Sequence, residues 1–218
     1  TAPLPDSSAR RAGPPTPRRF GPVNWLGLWT LYAKEVRRFL KVFTQTVMAP
    51  VVTGLLFLAI FTLALGRSFE VAGSIPYARF LAPGLVMMVI VQNSFANNSS
   101  SILISKIQGN IVDVLMPPLN AAEMTVAYAL AGMTRGVIVA IATVLVMAIF
   151  VPMELPDPAA ALYFGASAAL MLSLTGMIGG IWAEKFDHIS AVTNFVITPL
   201  AFLSGSFYSI ERLPGIWN

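Results

Sequence analysis

Few side chains in this sequence are equipped for covalent or acid–base chemistry. There is no cysteine and a single histidine, His188. A thiolate nucleophile, a disulfide and a Cys-based metal site are therefore excluded. His188 follows Asp187 with no supporting cluster, which suits neither a metal centre nor a general base. Ser204-Gly205-Ser206 has no histidine in a neighbouring apolar run, which argues against an intramembrane protease. No Gly-x-x-x-x-Gly-Lys-Ser/Thr phosphate loop occurs. The sequence thus assigns no catalytic residue and no metal ligand. What it does contain is polar chemistry inside long apolar runs: Arg135, and the series Gln92, Asn93, Asn97, Asn98, Ser99, Ser100 and Ser101. Such groups in a hydrocarbon phase must face protein or water. Two roles fit them, hydrogen bonding between helices and lining of a polar path.

The elements that carry these groups are apolar helices. The chain of 218 residues is 56% hydrophobic and 11% charged, against about 25% charged in an ordinary soluble domain. Its charges are gathered into islands between uncharged stretches at 42–66, 80–105, 136–153, 158–183 and 189–210. A spanning helix needs roughly 20 apolar residues to cross about 30 Å of hydrocarbon. Four stretches reach that length, and the 136–153 stretch reaches it once residues 124–135 are added. The runs do not alternate, which excludes a membrane barrel. The fold class expected is all-α: a polytopic transmembrane helical bundle with five spans at about 43–66, 80–104, 121–151, 158–183 and 189–210.

Residues 1–22, rich in Pro, Ser, Ala and Arg, read as a disordered cytosolic tail. Residues 23–41 read as an amphipathic helix lying in the membrane interface. Asn24 is its expected cap. Trp25, Leu28, Trp29, Tyr32, Val36, Phe39 and Leu40 share one face, with Lys34, Arg37, Arg38 and Lys41 off it. Anchoring of the first span and contact with a cytosolic partner both fit this helix. The motif Arg37-Arg38-Phe39-Leu40-Lys41 has the look of a twin-arginine signal, but the apolar run behind it is too long for one. Eight of the 14 Lys and Arg residues precede the first span, which places the N-terminus and the loops at 106–123 and 184–188 in the cytosol. This cluster also accounts for the net charge of +4, so the charge is no sign of nucleic-acid binding.

Arg135 is the one charge deep in a predicted span. With the outer end near Val151, it lies about 24 Å in at 1.5 Å per residue, near the inner boundary. Snorkelling of its long side chain to the cytosolic face is the first expectation. A polar contact in the bundle or a place on an inward-facing cavity is the other. Gly165, Gly176, Gly179 and Gly180 suggest close helix approach in the fourth span, and Pro50, Pro83 and Pro199 suggest kinks.

The loop Lys106-Ile107-Gln108-Gly109-Asn110-Ile111-Val112-Asp113-Val114-Leu115-Met116-Pro117-Pro118 carries an apolar stripe of Ile107, Ile111, Val114 and Leu115. The two prolines stop it. Asn120 and Glu123 form a candidate capping box for the next span. A short, stiff amphipathic helix over 106–115 is therefore expected between two spans. It is either a turn on the bilayer or a lever for a cytosolic partner.

Together with Phe80-Leu-Ala-Pro-Gly-Leu-Val-Met-Met88, Ala183-Glu-Lys-Phe-Asp-His-Ile-Ser190 and Thr198-Pro-Leu-Ala-Phe-Leu-Ser-Gly-Ser-Phe-Tyr-Ser209, this loop resembles the membrane permeases of type-2 ATP-binding-cassette (ABC) exporters. The likeness is to the bacterial drug, polysaccharide and nodulation-factor export group, over residues 25–218. The resemblance implies that the short helix is the coupling helix received by an ABC ATPase subunit, with Lys106, Ile107, Gln108, Ile111, Asp113 and Leu115 at the contact. Ile111 and Leu115 would be the anchors, with Lys106 and Asp113 at the rim. It further implies a second permease copy (homodimer or close paralogue), ATP and Mg bound on the partner and not on this chain, an amphipathic or lipid-linked cargo, and the bacterial cytoplasmic (inner) membrane. Members of this family continue past the fifth span into re-entrant helices and a sixth span, so the sequence reads as truncated before them. Asn93, Asn97, Asn98 and Arg135 are candidates for the translocation path or for bundle contacts. Trp25, Trp29, Lys34, Arg37 and Arg38 are the candidate interface-helix residues. A non-transporting accessory subunit is the alternative. A secondary transporter is disfavoured by the scarcity of charge near the midplane.

Overall fold

The computed structural model describes residues 21–65, 70–71, 75–153 and 156–203. The tail expected over 1–22 lies outside these residues apart from Gly21 and Pro22. So do the expected end of the fifth span at 210 and everything expected beyond it. The elements are α1 (Trp25–Lys41), a π-helical turn (Thr44–Met48), α2 (Ala49–Leu65), β1 (Glu70–Val71), β2 (Ile75–Pro76), α3 (Tyr77–Ile107), α4 (Ile111–Leu115), α5 (Ala121–Met147), α6 (Pro158–Trp182), α7 (Phe186–Val192), a second π-helical turn (Thr193–Ile197) and α8 (Thr198–Leu203). β1 and β2 form one short antiparallel pair. The other elements among the described residues are helical, and the protein is a polytopic all-α membrane bundle.

Among the described residues, five helical segments have the length and apolarity to cross a membrane: Thr44–Ala64, Tyr77–Ile107, Ala121–Met147, Pro158–Trp182 and Phe186–Leu203. Local chemistry sets their ends. Asp157 caps α6, its Oδ1 accepting from Ala159 N and Ala160 N at 3.0 Å, and Pro158 occupies the first helical turn, where its missing N–H costs nothing. Asn120 and Glu123 form the expected capping box on α5. α3 ends where Gly109 takes φ +74°, a left-handed conformation that glycine adopts without strain.

Each π-helical turn runs up to a proline. Pro50 and Pro199 crowd the carbonyls four residues back, those of Thr46 and Phe195. Both carbonyls lie inside the widened turns, where the i→i+5 pattern makes room. Pro83 lies inside α3, six residues after its start, with no π-helical turn beside it.

α3 is the central helix and packs against α2, α5 and α6. Its upper part joins Leu58, Met147, Val151 and Ala169 in the largest apolar cluster, through Tyr77, Leu81, Leu85 and Ile90. Its approach to α6 is very close. A Cβ at Gly176 would overlap the Phe95 carbonyl, and one at Gly180 would lie 3.0 Å from Ser99 O. α2 is more open, with Val52, Leu56, Ile60 and Leu63 exposed along one side.

Candidate functional site

The amide and hydroxyl residues of α3 form a buried polar layer. Asn93, Ser94, Asn97, Asn98, Ser99 and Ser101 are all buried. Asn98 ties three helices together. Its Nδ2 donates to Tyr128 O on α5 at 3.0 Å and to Ser173 O and Oγ on α6 at 3.0 and 2.8 Å. Ser173 Oγ in turn donates to Ala129 O at 2.9 Å. Asn97 Nδ2 donates to Asn98 Oδ1 at 3.1 Å. Gly132 and Gly136 leave room on α5 for Ser173 and Ser94 respectively. Amides can bond across helices only when the backbones come this near, so the small residues and the polar layer depend on each other.

Arg135 belongs to the same layer. The residue is 9% exposed, and its guanidinium donates from Nη2 to Asn93 Oδ1 at 3.2 Å. Snorkelling, the first expectation from sequence, is not what the side chain does. α1 packs along α5, and Tyr32 on α1 and Thr134 on α5 share a hydrogen bond of 3.0 Å. Of the two alternatives, the structure adopts the bundle contact. Arg135 Nε has no hydrogen-bond partner among the described residues.

α1 contributes a charged pair that the sequence reading passed over. Glu35 is fully buried. Its Oε2 accepts from Ser101 Oγ at 2.6 Å and from Arg38 Nε at 3.0 Å. Arg38 Nη2 also donates to Asn97 O at 2.9 Å and to Asn97 Oδ1 at 3.1 Å. Arg38 was grouped with Lys34, Arg37 and Lys41 as an outward basic residue; it points into the bundle instead. The face is also rotated from the expected one. Leu31, Glu35 and Phe39 are buried, whereas Trp25 and Trp29 are exposed and Lys34, Arg37 and Lys41 form a third, exposed side. The helix packs lengthwise: Asn24 meets Glu123, Tyr32 meets Thr134 and Arg38 meets Asn97. The signal for Glu35 was its spacing. Leu31, Glu35 and Phe39 recur every four residues, and a carboxylate in such a row with Arg38 three residues on is a paired buried charge.

The loop between α3 and α5 differs from expectation in its helix and in the use of its charges. Lys106 and Ile107 belong to the end of α3, and the short helix covers only Ile111–Leu115. Gly109 makes the break. Lys106 Nζ donates to Ile181 O and Ala183 O at 2.7 and 2.6 Å, and more weakly to Gly180 O at 3.4 Å. It closes the end of α6 and is not a free rim charge. Val114 is buried against Leu31, Ile102, Ala127 and Tyr128. Ile107, Val112, Leu115 and Met116 are exposed. Ile111 is half-buried, while Gln108 and Asp113 are exposed, and Gln108 Oε1 accepts from Asn110 Nδ2 at 3.2 Å. His188 packs against Trp182, the rings tilted by 36° with centroids 5.3 Å apart.

A cavity of about 440 Å³ opens between α2, α3 and the second π-helical turn. Its polar lining comes from Gln45, Thr53, Gln92, Asn93, Thr193, Asn194 and Thr198, and its apolar wall includes Phe57 and Leu85. No charged side chain is among its described lining residues. Asn93 therefore faces two ways, toward Arg135 through Oδ1 and onto the cavity. Asn97, Asn98 and Arg135 are not among the lining residues.

Comparison with known proteins agrees with this architecture. Residues 27–218 match the ABC-2 type transporter family. The inner membrane transport permease YadH of Escherichia coli K12 is 35% identical over 194 residues, which cover 89% of this chain and 76% of that protein. The Shigella flexneri protein of the same name matches to the same extent. No solved structure matches. With five apolar helices among its described residues, its buried amide layer and its short helix between the second and third spans, this chain belongs to the ABC-2 type transporter family and is a membrane transport permease.

Proposed function

We propose that this chain is the permease half of an ATP-driven exporter in the bacterial inner membrane. A separate ABC ATPase subunit binds ATP with Mg and hydrolyses it. The resulting closure is passed through α4 to the spans, and a cargo with polar and apolar parts moves outward. A second permease copy completes the path. The observation that carries this reading is the tip of the loop between α3 and α5. A helix of five residues is not stable alone, yet α4 is held by Val114 in the bundle and leaves Ile107, Val112, Leu115 and Met116 exposed. Apolar anchors presented on a stiff support are what a partner protein's groove receives. The cavity supports the same reading. Its amide and hydroxyl lining without charge suits an uncharged polar head beside an apolar portion, because an unpaired ion buried there would lose hydration uncompensated.

The test is capture of the ATPase on the purified permease in mild detergent. Leu115→Asp should abolish capture while membrane insertion stays normal. Val114→Asp should instead lower the yield of folded permease, since Val114 is 5% exposed. Capture undiminished by Leu115→Asp would overturn the docking assignment. Failure of the unaltered chain to capture any ATPase would make it an accessory subunit.

A further inference from the structure

Two charged side chains fasten the 106–123 loop to helices with which it has no covalent junction. At one end, Lys106 Nζ lies 2.6 Å from Ala183 O and 2.7 Å from Ile181 O, at the end of α6. The last carbonyls of a helix lack intrahelical partners and carry the negative end of its dipole. An ammonium with three donors satisfies them. At the other end, the Glu123 carboxylate serves two helix starts at once. Oε2 accepts from Asn120 N at 2.8 Å, closing the capping box of α5, and Oε1 accepts from Asn24 N at 2.6 Å, at the start of α1. Asn24 Nδ2 donates back to Pro118 O at 3.0 Å. Glu123 is 7% exposed, so both bonds are shielded from water. An ordinary capping box accounts for Oε2 alone.

The chain joins this loop only to α3 and α5. Through Lys106 and Glu123 it is joined to α6 and α1 as well, and α1 leads through the first π-helical turn into α2. We propose that Lys106 and Glu123 are positioning residues that make the loop, α1 and the end of α6 move as one body, so that a push on α4 reaches four helices together. This rests on the proposed docking of an ATPase at α4. Without these links a displaced loop would drive α3 and α5, and α1 and α6 would follow only through packing.

The experiment uses spin-label distances on the full chain, whose lack of cysteine leaves only introduced labels. One pair is Thr30→Cys on α1 with Asn110→Cys at the start of α4; the other is Asn110→Cys with Ile178→Cys on α6. All three sites are exposed. Measurements are made in lipid nanodiscs on the permease alone, and on its complex with the ATPase with and without ATP·Mg trapping. In the otherwise unaltered chain both distances should be narrow and should not shift on trapping. Glu123→Gln turns an NH₂ toward one of the two N–H donors and should widen the first distribution. Lys106→Met should widen the second, and Lys106→Arg, which keeps its donors, should restore it. A shift of either distance on trapping would overturn the one-body assignment. Distributions as narrow in Glu123→Gln and Lys106→Met as in the unaltered permease would overturn the roles of the two residues, even if no ATPase binds. Should the variants fail to fold, the trapping comparison on the unaltered chain decides. Loss of ATPase capture by that chain would count against the docking reading alone.

Discussion

Gly176→Ala adds one carbon to the protein, and the structure specifies where it goes. The new Cβ would overlap Phe95 O, and it would lie 2.9 Å from the Phe95 carbonyl carbon and 3.0 Å from its Cα. These are backbone atoms of α3, which cannot rotate away as a side chain does. α3 and α6 would have to part. Overpacking of this kind costs about 1–3 kcal/mol. Parting also stretches the Asn98–Ser173 bonds one turn away, now 2.8 and 3.0 Å. A hydrogen bond between membrane helices contributes about 0.6 kcal/mol on average, with about 1.7 kcal/mol as the upper end. Alanine returns about 1 kcal/mol in helix propensity over glycine. The net expectation is a destabilisation of about 1–4 kcal/mol. Gly165→Ala is the internal control. Its Cβ would meet only Ile90 Cδ1, at 3.5 Å, an ordinary contact, so the propensity gain should stand and stability should be unchanged or up to about 1 kcal/mol higher. Equilibrium unfolding of the purified permease in mixed micelles by a denaturing detergent reads both. Equal stability of Gly176→Ala and the unaltered protein would refute the reasoning, as would equal losses for the two alanine variants.

Three further outcomes can be checked with the same protein. Asn93→Leu should destabilise by about 1.5–3 kcal/mol because it removes the acceptor of the buried Arg135 guanidinium, and Arg135→Met, which leaves only a neutral amide that also faces the cavity, should cost less; the unfolding assay separates the two. In a double-mutant cycle, Arg38→Leu alone should be strongly destabilising because Glu35 is fully buried, and adding Glu35→Leu should recover part of that loss. A cycle with additive losses would show that the pair does not interact. A single cysteine at position 110 should resist membrane-impermeant thiol reagents added outside intact cells and react after lysis. Labelling from outside would reverse the topology expected from the N-terminal Lys/Arg cluster.

The outline of this protein is written in its residue order. Runs of apolar residues near 20 long have few alternatives to spanning helices. Asn24 and Asn120 mark helix starts because capping is a local event, settled within a few residues, whereas the helix expected over 106–115 runs through the break that Gly109 makes. The likeness to ABC-2 permeases was also legible, because the stiff loop closed by Pro117-Pro118 and the segments beside it are contiguous in sequence.

Partner choice across the bundle was not legible, and it decides the candidate site. Sequence places Arg135 near the end of a span; only the packing of α1 and α3 on α5 turns it from the surface to Asn93. Sequence shows Lys106 as an exposed loop charge; only the nearby end of α6 gives it two close carbonyls to close. Glu123 reads as a local cap, and its second oxygen finds Asn24 because the start of α1 arrives there. Periodicity tells which residues share a helix face, but in a membrane bundle lipid and protein both accept apolar side chains, so the pattern alone does not say which face meets which. The sequence by itself determined that the chain is a bundle of apolar spanning helices, because a run of about 20 apolar residues settles its own structure locally. The tertiary structure decided which buried polar groups pair, because each has to be satisfied by whatever donor or acceptor the neighbouring helix brings within reach.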